Sequence, residues 1–371
     1  MRKNFSRNHN ASYKHRFFSL LLIPLAFLIK WLMSLSPEFT EKYYSQGIYK
    51  FIMQPVSRLT GLVPFSVAEI FAILLVLYIP ARIVYLIIHA ARARKWSVFL
   101  PWISNMVFIV SLVFFLQTIL WTIHYERLPF ADSSGLEVRD SSVDELEALC
   151  RALIEDTNLL REQVTEDENG VMKLDGGFKK MAAQAELGYD EIQKHYSFLA
   201  GTYGPPKPVL LSRAMSHTNI IGIYISFTGE ANIDIDIPDS EIPSTAMHEM
   251  AHQRGFARED EANFIAYLTC MAHPDASFKY SGSVLALQHS MNALYIADST
   301  RYFDMIKLYS PGYLRDLEYQ HAYWKQFQGA AKDVVDKIND SYLKFNGETD
   351  GVKSYGRMVD LLLAYHRQGA L

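Results

Sequence analysis

The segment Thr245-Ala246-Met247-His248-Glu249-Met250-Ala251-His252-Gln253-Arg254-Gly255 puts two histidines four residues apart, with a glutamate directly after the first. On a helix, residues four apart share a face about one turn apart, so His248 and His252 can both reach a single Zn²⁺. Glu249 is then positioned to take a proton from water at the ion rather than to ligate it, which makes it the candidate catalytic residue. Gly255 lets the chain leave the helix in a left-handed conformation. A chance H-E-x-x-H is an event of roughly a few per cent in a chain of this His and Glu content, so context has to carry part of the reading. An alternating apolar and polar run precedes the motif, and Arg258-Glu259-Asp260-Glu261-Ala262-Asn263-Phe264 follows it with three acids.

A catalytic zinc site takes three protein ligands and keeps a fourth position open. Glu259 and Glu261 are the two candidates for the third ligand. Glu259-x-x-Ala262-Asn263 resembles the E-x-x-A-D element of membrane-associated gluzincin peptidases, in which the first acid binds the metal. That resemblance favours Glu259 and keeps Glu261 as the alternative ligand. Asn263 lies four residues after Glu259, on the same helical face, and can hydrogen-bond a ligand ring from behind. The spacing H-x-x-G is shared with metzincins, but their third histidine would fall on Arg258, which cannot bind a cation.

Outward from this segment the composition divides. Half of the chain is hydrophobic, with 36 Lys+Arg against 40 Asp+Glu and a formal charge of -4, which gives no field to attract nucleic acid. The apolar excess lies before residue 123, in stretches 17–35, 67–89 and 99–123. Each is long enough to cross a bilayer core of ~30 Å as a helix. Residues 1–123 therefore read as a membrane anchor in contact with the lipid bilayer, and 124–371 as a separate domain. Arg2, Lys3, Arg7, Lys14 and Arg16 precede the first span, and Arg92, Arg94 and Lys95 lie between the second and third. Positive loops stay on the cytoplasmic side, which predicts a multi-pass protein of the cytoplasmic membrane, its N-terminus inside and its C-terminal domain outside. A cleaved signal peptide is disfavoured, because the first apolar stretch is too long and no A-x-A-like site follows. Trp31, Trp96, Trp102 and Trp121 fall near span ends, where amphipathic rings prefer to lie, and Glu69 and Arg82 are expected to snorkel.

The C-terminal part reads as α+β, mostly helical with a small sheet. Ser142 opens a capped helix, a second helical run covers 176–200, and Gly204-Pro205-Pro206 stops it. Strands are expected at 209–211, 222–226 and 231–237, the last half-buried and at a sheet edge where an extended peptide could add. Helix resumes after Pro243. Tyr319, Tyr323 and Trp324 recur at helical spacing as a core stripe, and Asp350 to Gly356 read as a turn that could line the cleft. Cys150 and Cys270 are too few for a disulfide framework.

The three spans, Pro64-Phe65-Ser66 and the run from His248 to Phe264 together resemble an uncharacterised family of bacterial membrane proteins, a domain of unknown function. The resemblance implies a zincin-like peptidase lobe on a membrane anchor and supplies no substrate. The expected function is a zinc-dependent metallopeptidase that hydrolyses a peptide or protein substrate outside the membrane. The alternative is a non-catalytic receptor or sensor, which would have no need of Glu249 as a proton acceptor. Proteolysis within the bilayer is disfavoured, since the motif lies far beyond Ile123 in a polar segment. An oxyanion donor is still needed, with His217, His321 and Tyr355 as candidates. The oligomeric state is not readable from these features.

Overall fold

The structure is a computed structural model that describes residues 15–346 and 357–369. Arg2, Lys3, Arg7 and Lys14, together with the turn 350–356 and its Tyr355, lie outside the described residues.

Three helices are long and apolar enough to cross a membrane, at Arg16–Ser34, Val67–Ala93 and Trp96–Glu126. Their regular parts are α1 (Leu22–Ser34), α3 (Val67–Ala93) and α4 (Phe99–Leu120), and α2 (Lys50–Thr60) lies between the first two. A stretch of π-helix, Thr40–Tyr49, leads into α2. The end of α1, the start of α3 and the end of α4 all meet the remaining fold on one side. There Lys30 pairs with Glu126 at 3.5 Å, and Glu230 caps α3 by accepting from the N–H groups of Val67 and Ala68 at 3.0 and 2.9 Å. The first N–H groups of any helix lack internal partners, so a carboxylate here satisfies two of them and meets the positive end of the dipole.

Glu69 differs from the snorkelling expected of it. Its carboxylate accepts from the backbone N–H groups of Leu210 and Leu211 at 2.7 and 2.8 Å, because the first turn of α3 lies against the lobe rather than in lipid. Arg82 lies over the Tyr85 ring. Trp31 and Trp96 are exposed, as span-end rings should be, whereas Trp121 turns inward and is buried.

The segment between the first two spans belongs structurally with the lobe. Lys50 Nζ donates to the carbonyls of Phe198 and Ala200, and Ser57 Oγ accepts from Gly204 N at 2.9 Å. Lys207 Nζ donates to the carbonyls of Thr60, Val63 and Phe65. Arg127, fully buried just after the third span, makes a two-pronged pair with Glu41, both contacts 2.7 Å.

The lobe is built on α5 (Phe130–Ser134), α6 (Val143–Arg161), α7 (Gly177–Gln184) and α8 (Glu186–Ile192), then on α9 (Ile242–Gln253), α10 (Glu259–Ala272) and α11 (Ala276–Ala297). It ends with α12 (Pro311–Lys325), α13 (Ala330–Phe345) and α14 (Met358–Arg367). The capped start read at Ser142 is present as a full capping box with Glu145. Helix α11 packs along both α6 and α10, and α9 packs on α10. Met247, Met250, Phe264, Leu268 and Leu287 fill the space between them. Cys150 and Cys270 are buried and unpaired.

The sheet has three short strands, β1 (Lys207–Pro208), β2 (Gly222–Ile225) and β3 (Glu230–Ile233), in the order β1-β3-β2. β1 runs parallel to β3 and β2 antiparallel to it. The expected edge strand 231–237 is therefore corrected: β3 is central, buried along its length, and ends at Ile233. The alternation of Ile and Asp beyond it reflects turn chemistry. Asp234 Oδ1 accepts from Asp236 N, its Oδ2 accepts from Ser216, and the chain bends away. The edges are β1 and β2.

Burial pushes Glu241, at the foot of α9, up to about 7, against the opposing hydrogen bond from Trp324 Nε1. A carboxyl with a raised folded value adds most stability below its unfolded value of about 4.5 and loses it as pH rises through 7. Glu241→Gln keeps an acceptor for Trp324 and removes the charge. It should therefore raise the thermal midpoint of the full chain at pH 8 and leave that at pH 4 nearly unchanged, by differential scanning fluorimetry.

Candidate metal centre

Helix α9 starts on Pro243 in its first turn, where a missing N–H costs nothing. It is buried on almost every side, so the direction of each side chain is set by packing. It stops in a Schellman turn: Gly255 N donates to His252 O at 2.9 Å and Phe256 N to Ala251 O at 3.2 Å. Gly255 sits at φ +79°, and a Cβ there would fall 2.7 Å from the His124 ring. This turn directs the Phe256 carbonyl back onto the helix, where it accepts from His252 Nδ1 at 2.5 Å. Arg127 holds the turn from outside, donating to Gly255 O at 2.7 Å and covering the Phe256 ring.

Helix α10 then begins at Glu259. Glu259 and Asn263 project from one face and hold His248 between them. His248 Nδ1 donates to Asn263 Oδ1 at 2.8 Å, and His248 Nε2 lies 3.2 Å from Glu259 Oε2. His252 Nε2 lies 3.7 Å from the same oxygen. In both rings Nδ1 donates to an oxygen, so Nε2 is the atom that faces the Glu259 carboxylate and would be the ligand atom. The three donor atoms lie within 4.8 Å of one another. Tetrahedral ligands about 2.0–2.1 Å from a zinc ion stand roughly 3.3 Å apart, so this donor set fits such an ion by spacing and by chemistry.

The charges agree with that fit. Burial works against the ionised form of Glu259, but His252 and His248 outweigh it and hold the carboxyl far below its ordinary range. Burial also opposes charge on His252, yet Glu259, Glu249 and the Phe256 carbonyl push it up to about 9. Without an ion, a proton on His252 balances the Glu259 carboxylate.

Glu249 is buried beside this group, and burial raises its pKa against the pull of His252 and His248. One carboxylate oxygen faces Gly222 so closely that a Cβ there would fall 2.5 Å from it. The other, Oε2, is buried without a hydrogen-bond partner. A buried carboxylate oxygen left unpaired is costly unless something polar meets it.

The structure thus brings together His248, His252, Glu259, Asn263 and Glu249. Glu261 is turned away, accepting from Phe130 N at 2.7 Å and pairing with Arg258 at 3.0 Å. His217 packs edge-on against Phe327 and is not one of the three convergent donors. Two neighbours were not read from the sequence. The Trp121 ring meets His252 edge-on at 5.1 Å, which sets the centre against the last turn of the third span despite their distance in the chain. His289 on α11 is pushed down to about 4, mainly by burial and then by the charge of His248. A histidine placed next to a span-end tryptophan by folding leaves no local pattern, and a lone His in an apolar helix usually means core.

A family model described as a protein of unknown function (DUF3810) matches residues 44–363. No curated protein and no solved structure matches the chain significantly.

Proposed function

The chain belongs to this family of unknown function, and from the geometry of the His248–His252–Glu259 cluster we propose that it is a membrane-anchored, zinc-dependent metallopeptidase acting outside the cytoplasmic membrane. The observation that carries the reading is the pairing of a three-donor group with a buried, unpartnered carboxylate oxygen on the adjacent residue. His248, His252 and Glu259 would hold the ion. A bound Zn²⁺ would supply Lewis-acid polarisation of a scissile carbonyl and acidify water toward a pKa of ~7. Glu249 accepts the proton at Oε2 and delivers it to the leaving amine, a role suited to a carboxyl whose pKa burial has raised.

β2 is one of the two edge strands, and its Gly222 lies against Glu249, so an extended peptide adding to β2 would pass the proton acceptor. A sensor would not need an unpaired carboxylate in its core, which favours the enzyme. The basic link Arg92 to Lys95 lies at the ends of the spans away from the lobe, which supports an extracytoplasmic lobe.

The test is metal analysis of the full chain in detergent, together with hydrolysis of a quenched fluorescent peptide mixture before and after chelation. About one zinc per chain and chelator-sensitive cleavage are expected; absence of zinc overturns the proposal. The ring support also has a measurable value. Asn263→Ala should weaken zinc binding about 10–100-fold, and Asn263→Asp should restore it, by competition with a chromophoric chelator. Equal affinity in Asn263→Ala would remove Asn263 from the site.

A further inference from the structure

Helix α13 carries an uncovered apolar stripe. Val334, Ile338, Tyr342 and Phe345 recur at spacings of four, four and three, and are 56%, 63%, 40% and 59% exposed. Another face carries Asp336, Lys337, Asp340 and Lys344, with Lys332 paired to Asp336 and Lys344 to Asp340. Sharp division into an apolar and a charged side is the pattern of a helix that lies at a bilayer surface.

Its position identifies what covers the stripe. The Phe345 ring meets Phe27 edge-on at 6.5 Å, and Phe27 also packs on Phe114 at 5.5 Å. Phe27 belongs to α1, itself half exposed, seven residues before Ser34. At 1.5 Å per residue, that is about 10 Å inside the end of the span nearest the lobe. The exposed surface of α13 therefore continues directly into the exposed surface of the spans, at a depth where acyl chains surround them. From the same helix, Tyr342 interacts with Trp121 and Gln117 at the end of α4 and feels the charge of Glu259.

We propose that the Val334–Ile338–Phe345 face of α13 is seated in the lobe-side leaflet of the bilayer that holds the spans, with Tyr342 at its border turned inward to Trp121 and Gln117, fixing the candidate metal centre at the lipid surface. The occupant of this face is lipid acyl chain. Substrates of the centre then reach it along the membrane surface, a consequence that rests on the peptidase reading, whereas the seating of α13 does not.

The experiment uses nitroxide labels at Ile338→Cys and Lys337→Cys in the full chain, in phosphatidylcholine–phosphatidylglycerol nanodiscs holding one chain each. Cys150 and Cys270 are fully buried and do not compete for label. Collision with dissolved oxygen and with a water-soluble nickel chelate is read by power saturation. Lipid seating predicts high oxygen and low nickel access at 338, with nickel access several-fold higher at 337. Equal nickel access at both positions overturns the proposal in favour of an exposed stripe. Low access of both reagents at 338 overturns it in favour of a protein occupant. Neither readout depends on zinc or on activity.

Discussion

Glu259→Ala is expected to strip the protein of zinc, whereas Glu261→Ala leaves the ion in place. Glu259 supplies the only carboxylate among the three convergent donors of the described residues, and both histidine Nε2 atoms face its Oε2. Without it, two neutral rings are left to hold a dication, with no negative charge to offset it. Glu261 spends its carboxylate on the Phe130 N–H and on Arg258. Its loss loosens the start of α5 and leaves the donors untouched. Metal analysis after dialysis against a weak chelator reads the difference, from about one zinc per chain to background. Retention in Glu259→Ala with loss in Glu261→Ala would reverse the assignment. The same site predicts a pH dependence. With His252 raised to about 9, an incoming ion must displace its proton at lower pH. Zinc affinity should therefore rise about tenfold per pH unit up to about 9 and level off above it. A flat profile between pH 6 and 9 would contradict the proton held on His252.

Glu249→Gln should keep the zinc and lose the reaction. The amide fills the space of the carboxylate between α9 and Gly222, so the fold and the ligands are preserved. An amide cannot accept the proton that a carboxylate accepts. General acid–base groups contribute about 10²–10⁴ in rate, and a fall of that size in kcat on the peptide mixture is expected, with zinc content unchanged. Activity equal to wild type in the zinc-loaded variant would sink the assignment of Glu249 and return the lobe to a binding role.

The convergence of His248, His252, Glu259 and Asn263 was legible because it is local twice over. His248 and His252 share a face of one helix, as do Glu259 and Asn263 on the next, and both spacings follow from 3.6 residues per turn. Gly255 marked the turn that brings the two faces together. The three long apolar helices were legible from length and composition. The central place of β3 was not, since Ile233 to Ile237 alternates like a strand although Asp234 side-chain bonds end it. Nor was the reach of residues 40–65 into the lobe, because Glu41 with Arg127 and Ser57 with Gly204 are partners far apart in the chain. The same holds for Trp121 at His252. Contacts of that kind are fixed by the whole fold and leave no periodicity behind.

The Arg127–Glu41 pair reaches further than the turn it braces. Arg127 stands where anchor gives way to lobe, and its guanidinium is balanced by a residue that precedes the second span. A protease that severed the chain near His124 would still leave the lobe gripped by the segment between the first two spans. Pulling the lobe free would break that buried, two-pronged pair together with the contacts around it. The junction is therefore held by contacts as well as by the covalent link, so a cut in that link would not by itself part the lobe from the three long helices.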